Sequence, residues 1–295
     1  MNQNPFGHDQ ITGPADEELV SRAVGGDKAA LETLIKRHQN WIFNIALRMV
    51  GNPVDAQDVT QEVLIKILTK LSTLDNKNGF RTWAYRIVTN HVLNMKQRGW
   101  EKHHMTFSRY GQEIDDSPDL DLPDESTLPV DLQVVIDETF VHCMMGMLLC
   151  LDREKRLVFI LGEVFGINDK TGSEITQLSH DNYRQKLSRA RKHVYAFMQQ
   201  KCGLVDAANA CKCHNKVAFM METGEIDPDR LRFNTRYFQK VKNVCETRNE
   251  RLVDLLEGKG RQLFREHPFQ ESPDFVQALN DIIASQDFND IFSMQ

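Results

Sequence analysis

Two short stretches of this chain hold side chains that could do chemistry on nucleic acid. The first, Phe80-Arg81-Thr82-Trp83-Ala84-Tyr85-Arg86, sets aromatic rings among guanidinium groups, with Asn90, His91 and Asn94 one and two turns on. Aromatic faces accept unstacked bases and arginines neutralise phosphates, so this surface suits melted strands better than closed duplex. Trp83, Tyr85 and Trp100 equally suit a packed core, because large aromatics are mostly buried. In the second stretch, Asn182, Arg184, Gln185, Ser188 and Arg189 share the open face of a helix whose apolar stripe is Tyr183, Leu187, Ala190, Val194 and Phe197. Their amide, hydroxyl and guanidinium donors can read base edges or grip phosphates in a major groove. A charged face that merely keeps a helix soluble is the plainer alternative.

Thiols form a third group. Cys202, Cys211, Cys213 and His214 supply three sulfurs and an imidazole, the right types for a structural zinc site, with His193 and Cys245 as other sources of a fourth ligand. The spacing is not that of a paired knuckle. A packed loop of reduced thiols is a second reading, and redox sensing beside Lys212 and Lys216 a third.

Helices must position these residues. Helical periodicity runs through the chain and no alternating strand pattern competes with it, so an all-α fold is expected. Asp27 can cap a helix that Gly51-Asn52-Pro53 stops. The next opens near Asp55 and buries Val59, Val63, Ile67 and Leu71, with Asp58, Gln61, Glu62 and Lys66 on its other face. A third runs from about Phe80 to Arg98. Periodicity lapses from Gly99 to Pro129, where prolines among acidic residues suggest a solvated linker. A second block spans Leu132 to Lys201: one helix from Asp152 to Phe165, a short one from Asp169 to Thr176, and a long one capped by Ser179. Two helices joined by a tight turn, the second with a basic face, fit a helix-turn-helix.

Size and charge narrow the class. At 295 residues, two or three small domains are expected. Apolar residues make up 41%, no run approaches the length needed to span a bilayer, and no secretory signal opens the chain, so a cytoplasmic location is expected without membrane insertion. The net charge of −6 hides basic stretches at 81–109 and 184–201 around an acidic one at 113–138. No nucleophile-and-base constellation or glycine-rich phosphate loop points to an enzyme.

Taken in order, several segments resemble the sigma factors of bacterial RNA polymerase. Asp55-Ala-Gln-Asp58-Val-Thr-Gln61-Glu62-Val63 is similar to their polymerase-binding helix, and Phe80 to Asn90 to the promoter-melting helix that follows. Leu151-Asp-Arg-Glu-Lys-Arg-Leu-Val-Phe, Glu163-Val-Phe-Gly166 and Leu187-Ser-Arg189-Ala190-Arg191 resemble the domain that reads the minus-thirty-five element. The likeness covers about 16–198, and the missing region-three helices match the compact extracytoplasmic-function group. It implies that Asp55, Asp58, Gln61 and Glu62 face the largest polymerase subunit. By the same likeness Phe80, Arg81, Trp83, Tyr85, Arg86 and Asn90 engage the melted minus-ten element, and Asn182, Arg184, Gln185, Ser188 and Arg189 face the minus-thirty-five duplex. The partners implied are core RNA polymerase, promoter DNA and an anti-sigma protein. Gly172 departs from the pattern, standing where an aliphatic residue is usual, at about 1 kcal/mol of helix propensity.

The expected layout is a disordered 1–14, a melting domain at 15–98, an acidic linker at 99–131 and a helix-turn-helix domain at 132–201. A cysteine-bearing loop at 202–217 and a helical extension at 218–295 follow. The extension has enough apolar residues to dock on the other domains or to recruit a partner. A stand-alone helix-turn-helix regulator is the rival reading, although such a protein has no use for a melting surface.

Overall fold

The chain is described by a computed structural model covering residues 13–74, 79–118, 130–227, 231–233, 264 and 270–283. Its first four helices form one bundle. The short α1 (Asp16–Val24) leads into α2 (Lys28–Val50), whose first turn is closed by Asp27 accepting from the Ala30 amide at 3.1 Å. Gly51 ends α2 at φ 75°, a left-handed conformation that glycine adopts without strain. Asn52 then caps α3 (Pro53–Lys70), with proline in the first turn where no amide donor is missed. Gly79, also left-handed, turns the chain into α4 (Phe80–Asn94), which stops four residues short of the expected Arg98.

The stretch 99–131 is not the open linker expected. Where described it folds: a 3-10 turn covers Gly99–His103, and α5 (Phe107–Asp116) follows, capped by Thr106. The sequence carried the signal, since Phe107, Tyr110 and Ile114 recur at helical spacing; Phe107 and Tyr110 pack their rings against Phe197. Residues 119–129 lie outside the described part.

The second bundle comprises α6 (Val130–Leu149), α7 (Arg153–Phe159), α8 (Asp169–Thr176) and α9 (His180–Lys201). Asp152 caps α7, and a π-helical turn at Ile160–Val164 continues it to Gly166, so the single helix expected over 152–165 changes winding midway. Asn168 and Ser179 cap α8 and α9. Beyond them, α10 (Cys213–Glu222) packs on α6, and α11 (Phe275–Ile283) packs on α2. The extension helix expected around 229–257 falls almost wholly outside the described residues.

The two bundles share one hydrophobic core, in which Ile45, Leu47 and Met49 of the first meet Phe159, Phe165 and Val194 of the second. Burying the face of each against the other removes apolar surface from water at about 25 cal/mol per Å². Among the described residues the structure is all helix apart from an isolated bridge between Cys202 and Cys211. No described helix is long and apolar enough to cross a membrane.

Candidate nucleic-acid interface

The side chains expected to read duplex DNA stand together and open. Asn182, Arg184, Gln185, Ser188 and Arg189 are all exposed along α9, while Tyr183 and Leu187 on the opposite face are buried. Arg184 lies 3.4 Å from Asp169 at the start of α8. Arg191, from the same basic run, turns inward and donates to the fully buried Glu163, pinning α9 to the π turn.

Gly172 is explained by Tyr183. A Cβ at position 172 would stand 2.3 Å from the tyrosine ring, so the aliphatic residue usual there is replaced by a larger side chain reaching across from α9. Gly162 leaves space for the same helix: a Cβ there would come 2.7 Å from Leu187. Burial pushes the Tyr183 phenol well above its ordinary pKa, so it stays neutral.

The acidic set lies along α3. Asp58 is well exposed, and Asp55, Gln61 and Glu62 are half-buried. Arg98 donates to Glu62 at 2.5 Å and stands 3.8 Å from Asp58, so part of that negative face is already neutralised. His91 is 3.2 Å from Glu62, and Lys66 donates to its Nδ1 at 2.6 Å. Burial first, then the Lys66 charge, lower the His91 pKa and favour the neutral ring.

The expected strand-melting residues divide. Phe80 and Tyr85 do not present their rings outward: both are buried, Phe80 against His38 and Trp83, because α4 turns this face to α1 and α2. That corrects their assignment to DNA contact in this arrangement. Arg81 is held by Asp16, donating at 2.7 Å, and Arg37 donates to the same carboxylate at 2.6 Å. Burial opposes ionisation of Asp16, but His38, Arg81 and Arg37 outweigh it and hold its pKa well below the carboxylate range. Trp83 and Arg86 are half-buried and Asn90 is exposed.

Arg86 and its neighbour Thr89 show what covers this helix. Arg86 donates to the Glu174 carbonyl at 2.9 Å and the Thr89 hydroxyl to the Ile175 carbonyl at 3.0 Å, both at the C-terminal end of α8. The C-terminal end of α8 therefore sits on α4, the helix expected to melt DNA. The two bundles are further joined by a buried charge cluster that sequence reading missed. Glu101 accepts from Arg153 at 2.6 and 2.9 Å and from Arg156 at 2.7 Å. Arg153 also donates to the Met95 carbonyl at 2.5 Å, and Arg156 to the carbonyls of Met49, Leu148 and Leu151. Glu101 is buried, which alone would raise its pKa, yet the two arginines bring it below the usual value. Arg48, fully buried beside Asn44, lies 5.6 Å from the Phe165 ring and adds a cation–π contact between the bundles.

The extension grips the first bundle by its backbone. Asn44 donates to the Gln270 carbonyl at 2.8 Å and accepts from the Gln270 amide at 3.1 Å, and Asn40 accepts from the amide and hydroxyl of Ser272. Gln39 accepts from the Phe275 amide at 3.2 Å, and Phe275 itself is buried near Phe43. On the other bundle, buried Glu138 accepts from the amides of Arg232 and Phe233; burial raises its pKa to about 7.

Among the described residues no three His, Cys, Asp or Glu side chains are grouped to hold a metal ion, Cys202, Cys211, Cys213 and His214 included. Burial raises the Cys202 pKa, the opposite of what a reactive redox thiol needs.

Residues 34–101 match the family model for Sigma-70 region 2, the span that holds most of α2, all of α3 and α4, and Glu101. RNA polymerase sigma-H factor of Pseudomonas aeruginosa is 25% identical over 64% of this chain and 96% of its own length. The extracytoplasmic-function sigma-E factor of Haemophilus influenzae is 26% identical over 61% of this chain and 93% of its own. Sigma-E of Escherichia coli K12 reaches 35% identity over 79 residues, 27% of this chain and 41% of that protein. Among solved structures, the sigma factor RpoE in complex with the anti-sigma factor NepR from Bartonella quintana matches with a TM-score of 0.37 and 16% identity, covering 57% of this chain and 96% of that one. The chain thus carries a Sigma-70 region 2 and is similar, over nearly the whole length of these relatives, to RNA polymerase sigma factors of the extracytoplasmic-function type, with a C-terminal extension beyond the part they share.

Proposed function

We propose that this sigma factor joins core RNA polymerase in the cytoplasm through the α3 face of Asp55, Asp58, Gln61 and Glu62. It directs the enzyme to promoters through α9 and α4, starts transcription, and catalyses no reaction itself. The observation that carries the reading is the common exposure of Asn182, Arg184, Gln185, Ser188 and Arg189 on one capped helix inside a helix-turn-helix. A helix set this way offers its N-terminal half to a major groove, with arginines for guanine edges or phosphates. An acidic face on α3 suits a basic partner surface and gives a stand-alone regulator nothing to do.

The melting role falls to Trp83, Arg86 and Asn90, and Arg81 serves chiefly to hold Asp16. Arg86 is spent on the Glu174 carbonyl while α8 lies over α4, so we take the arrangement described here as a resting form that opens on the polymerase. The extension bonded to α2 helps to hold that form, in the place of, or alongside, a separate anti-sigma protein.

Reconstituted transcription with core polymerase on a genomic library tests the reading. Start sites preceded by shared minus-ten and minus-thirty-five elements are expected. Failure to associate with the core enzyme, or duplex binding without it, would return the chain to the stand-alone regulators. Removal of residues 218–295 should raise the yield per bound polymerase, and an unchanged yield would deny the extension its restraining role. Arg184→Ala and Arg189→Ala should each weaken holoenzyme binding to a minus-thirty-five duplex by about 1–3 kcal/mol, measured by fluorescence anisotropy.

A further inference from the structure

A cavity of about 470 Å³ lies where three parts of the chain meet. Trp100, Met105 and Ile114 line it from the folded linker, Leu149 from α6, and Phe219 and Met220 from α10 of the extension. Its volume is in the range of sites for small organic molecules, which are concave, mostly apolar and built from few elements.

Most polar groups on its wall are already engaged by the protein. The exception is His142, whose buried Nε2 has no hydrogen-bond partner among the described residues and whose ring is kept neutral by burial, so that an uncharged N–H donor can serve it. The Thr139 hydroxyl donates to the Val135 carbonyl at 2.9 Å and the Tyr110 hydroxyl to the Cys143 carbonyl at 3.3 Å. Lys216 donates to the carbonyls of Ile114 and Ser117 at 3.0 and 2.7 Å, and Arg109 to Glu113 at 2.9 Å. Arg232 lies 5.4 Å from the Trp100 ring, face-on to its π system. A charged ligand would give up its hydration and find few unpaired groups in return, whereas an apolar one loses nothing. Rings from Trp100 and Phe219 and the adaptable side chains of Met105 and Met220 favour a flat body.

We propose that this cavity is an effector site for an uncharged aromatic molecule of one or two rings. Because the walls come from linker, helix-turn-helix domain and extension together, an occupant ties these three parts to one another. It thereby steadies the form in which α8 covers α4. That regulatory consequence rests on the sigma-factor reading; the binding does not.

The test uses the full chain and three probes with one common body: indole, the cation tryptamine and the anion indole-3-acetate, each titrated by ligand-observed NMR. Indole should bind saturably with a Kd of about 0.5 mM, as befits so small a ligand, and the two charged probes at least about tenfold more weakly. Met105→Trp and Met220→Trp fill the cavity from opposite walls, and each folded variant, checked by circular dichroism, should lose indole binding. Absence of saturable binding, or binding unchanged in whichever filled variant folds, would overturn the site. Tighter binding of a charged probe would overturn the ligand class. None of these results touches promoter recognition, which is read separately by transcription.

Discussion

Glu101 is the residue on which the joining of the two bundles most depends. It sits buried between Arg153 and Arg156, and Arg156 is itself buried with its remaining donors spent on backbone carbonyls. Removing the carboxylate charge leaves a guanidinium in the interior without its counter-ion, which is the costly way to break such a pair. Glu101→Gln should therefore lower the unfolding free energy by about 3 kcal/mol, measured by urea denaturation. The pH response follows from the same chemistry. Asp16 and Glu101 both have pKa values depressed in the folded state, from ordinary values of 3.8 and 4.5. Their contribution is complete above those ordinary values and is lost as pH falls below them, because the unfolded chain then takes up protons that the folded one resists. Denaturation midpoints should fall steeply on acidification below pH 4.5, and less steeply in Glu101→Gln.

The helix-turn-helix is set by how closely α8 and α9 approach. Propensity alone would have Gly172→Ala stabilise α8 by about 1 kcal/mol. The Tyr183 ring, 2.3 Å from where that Cβ would be, reverses the sign. Overpacking of this kind costs about 1–3 kcal/mol, so the variant should melt at a lower temperature than the parent. A paired Gly172→Ala, Tyr183→Phe variant should recover little, because ring carbons as well as the hydroxyl crowd the site. Since Tyr183 is next to Arg184 and one turn from Leu187, any shift of the ring also moves the exposed face of α9 proposed to read DNA.

Across the whole molecule, the extension acts through backbone contacts as much as through apolar burial. Asn40 receives both donors of Ser272, Asn44 exchanges two bonds with Gln270, and Gln39 holds the start of α11. Asn40→Ala removes two of these bonds and should loosen residues 270–283 by about 1–2 kcal/mol without unfolding the bundles. Hydrogen–deuterium exchange should show faster uptake confined to that segment. If exchange there is unaltered, the Asn40 bonds add nothing, and the segment is held by Asn44, Gln39 and the burial of Phe275, Val276 and Leu279.

The sequence by itself determined the helices, their caps and the faces that must be buried, because these depend on neighbours three or four residues apart. Asp27 and Ser179 cap their helices as expected, and Tyr183, Leu187, Ala190 and Val194 turn inward; Asn52, expected only to help stop α2, also caps α3. The exposed row from Asn182 to Arg189 was legible for the same reason. Local reading failed where the partner is distant in sequence. Phe80 and Tyr85 read as DNA-facing aromatics until α1 and α2 were seen to cover them, and Gly172 looked anomalous until Tyr183 arrived from the next helix. Only tertiary structure decided that α5 folds onto α9, that Glu101 meets arginines more than 50 positions away, and that Gln270 reaches Asn44 across 226. Periodicity records which face is apolar; it does not record which surface, hundreds of residues away, fits against it.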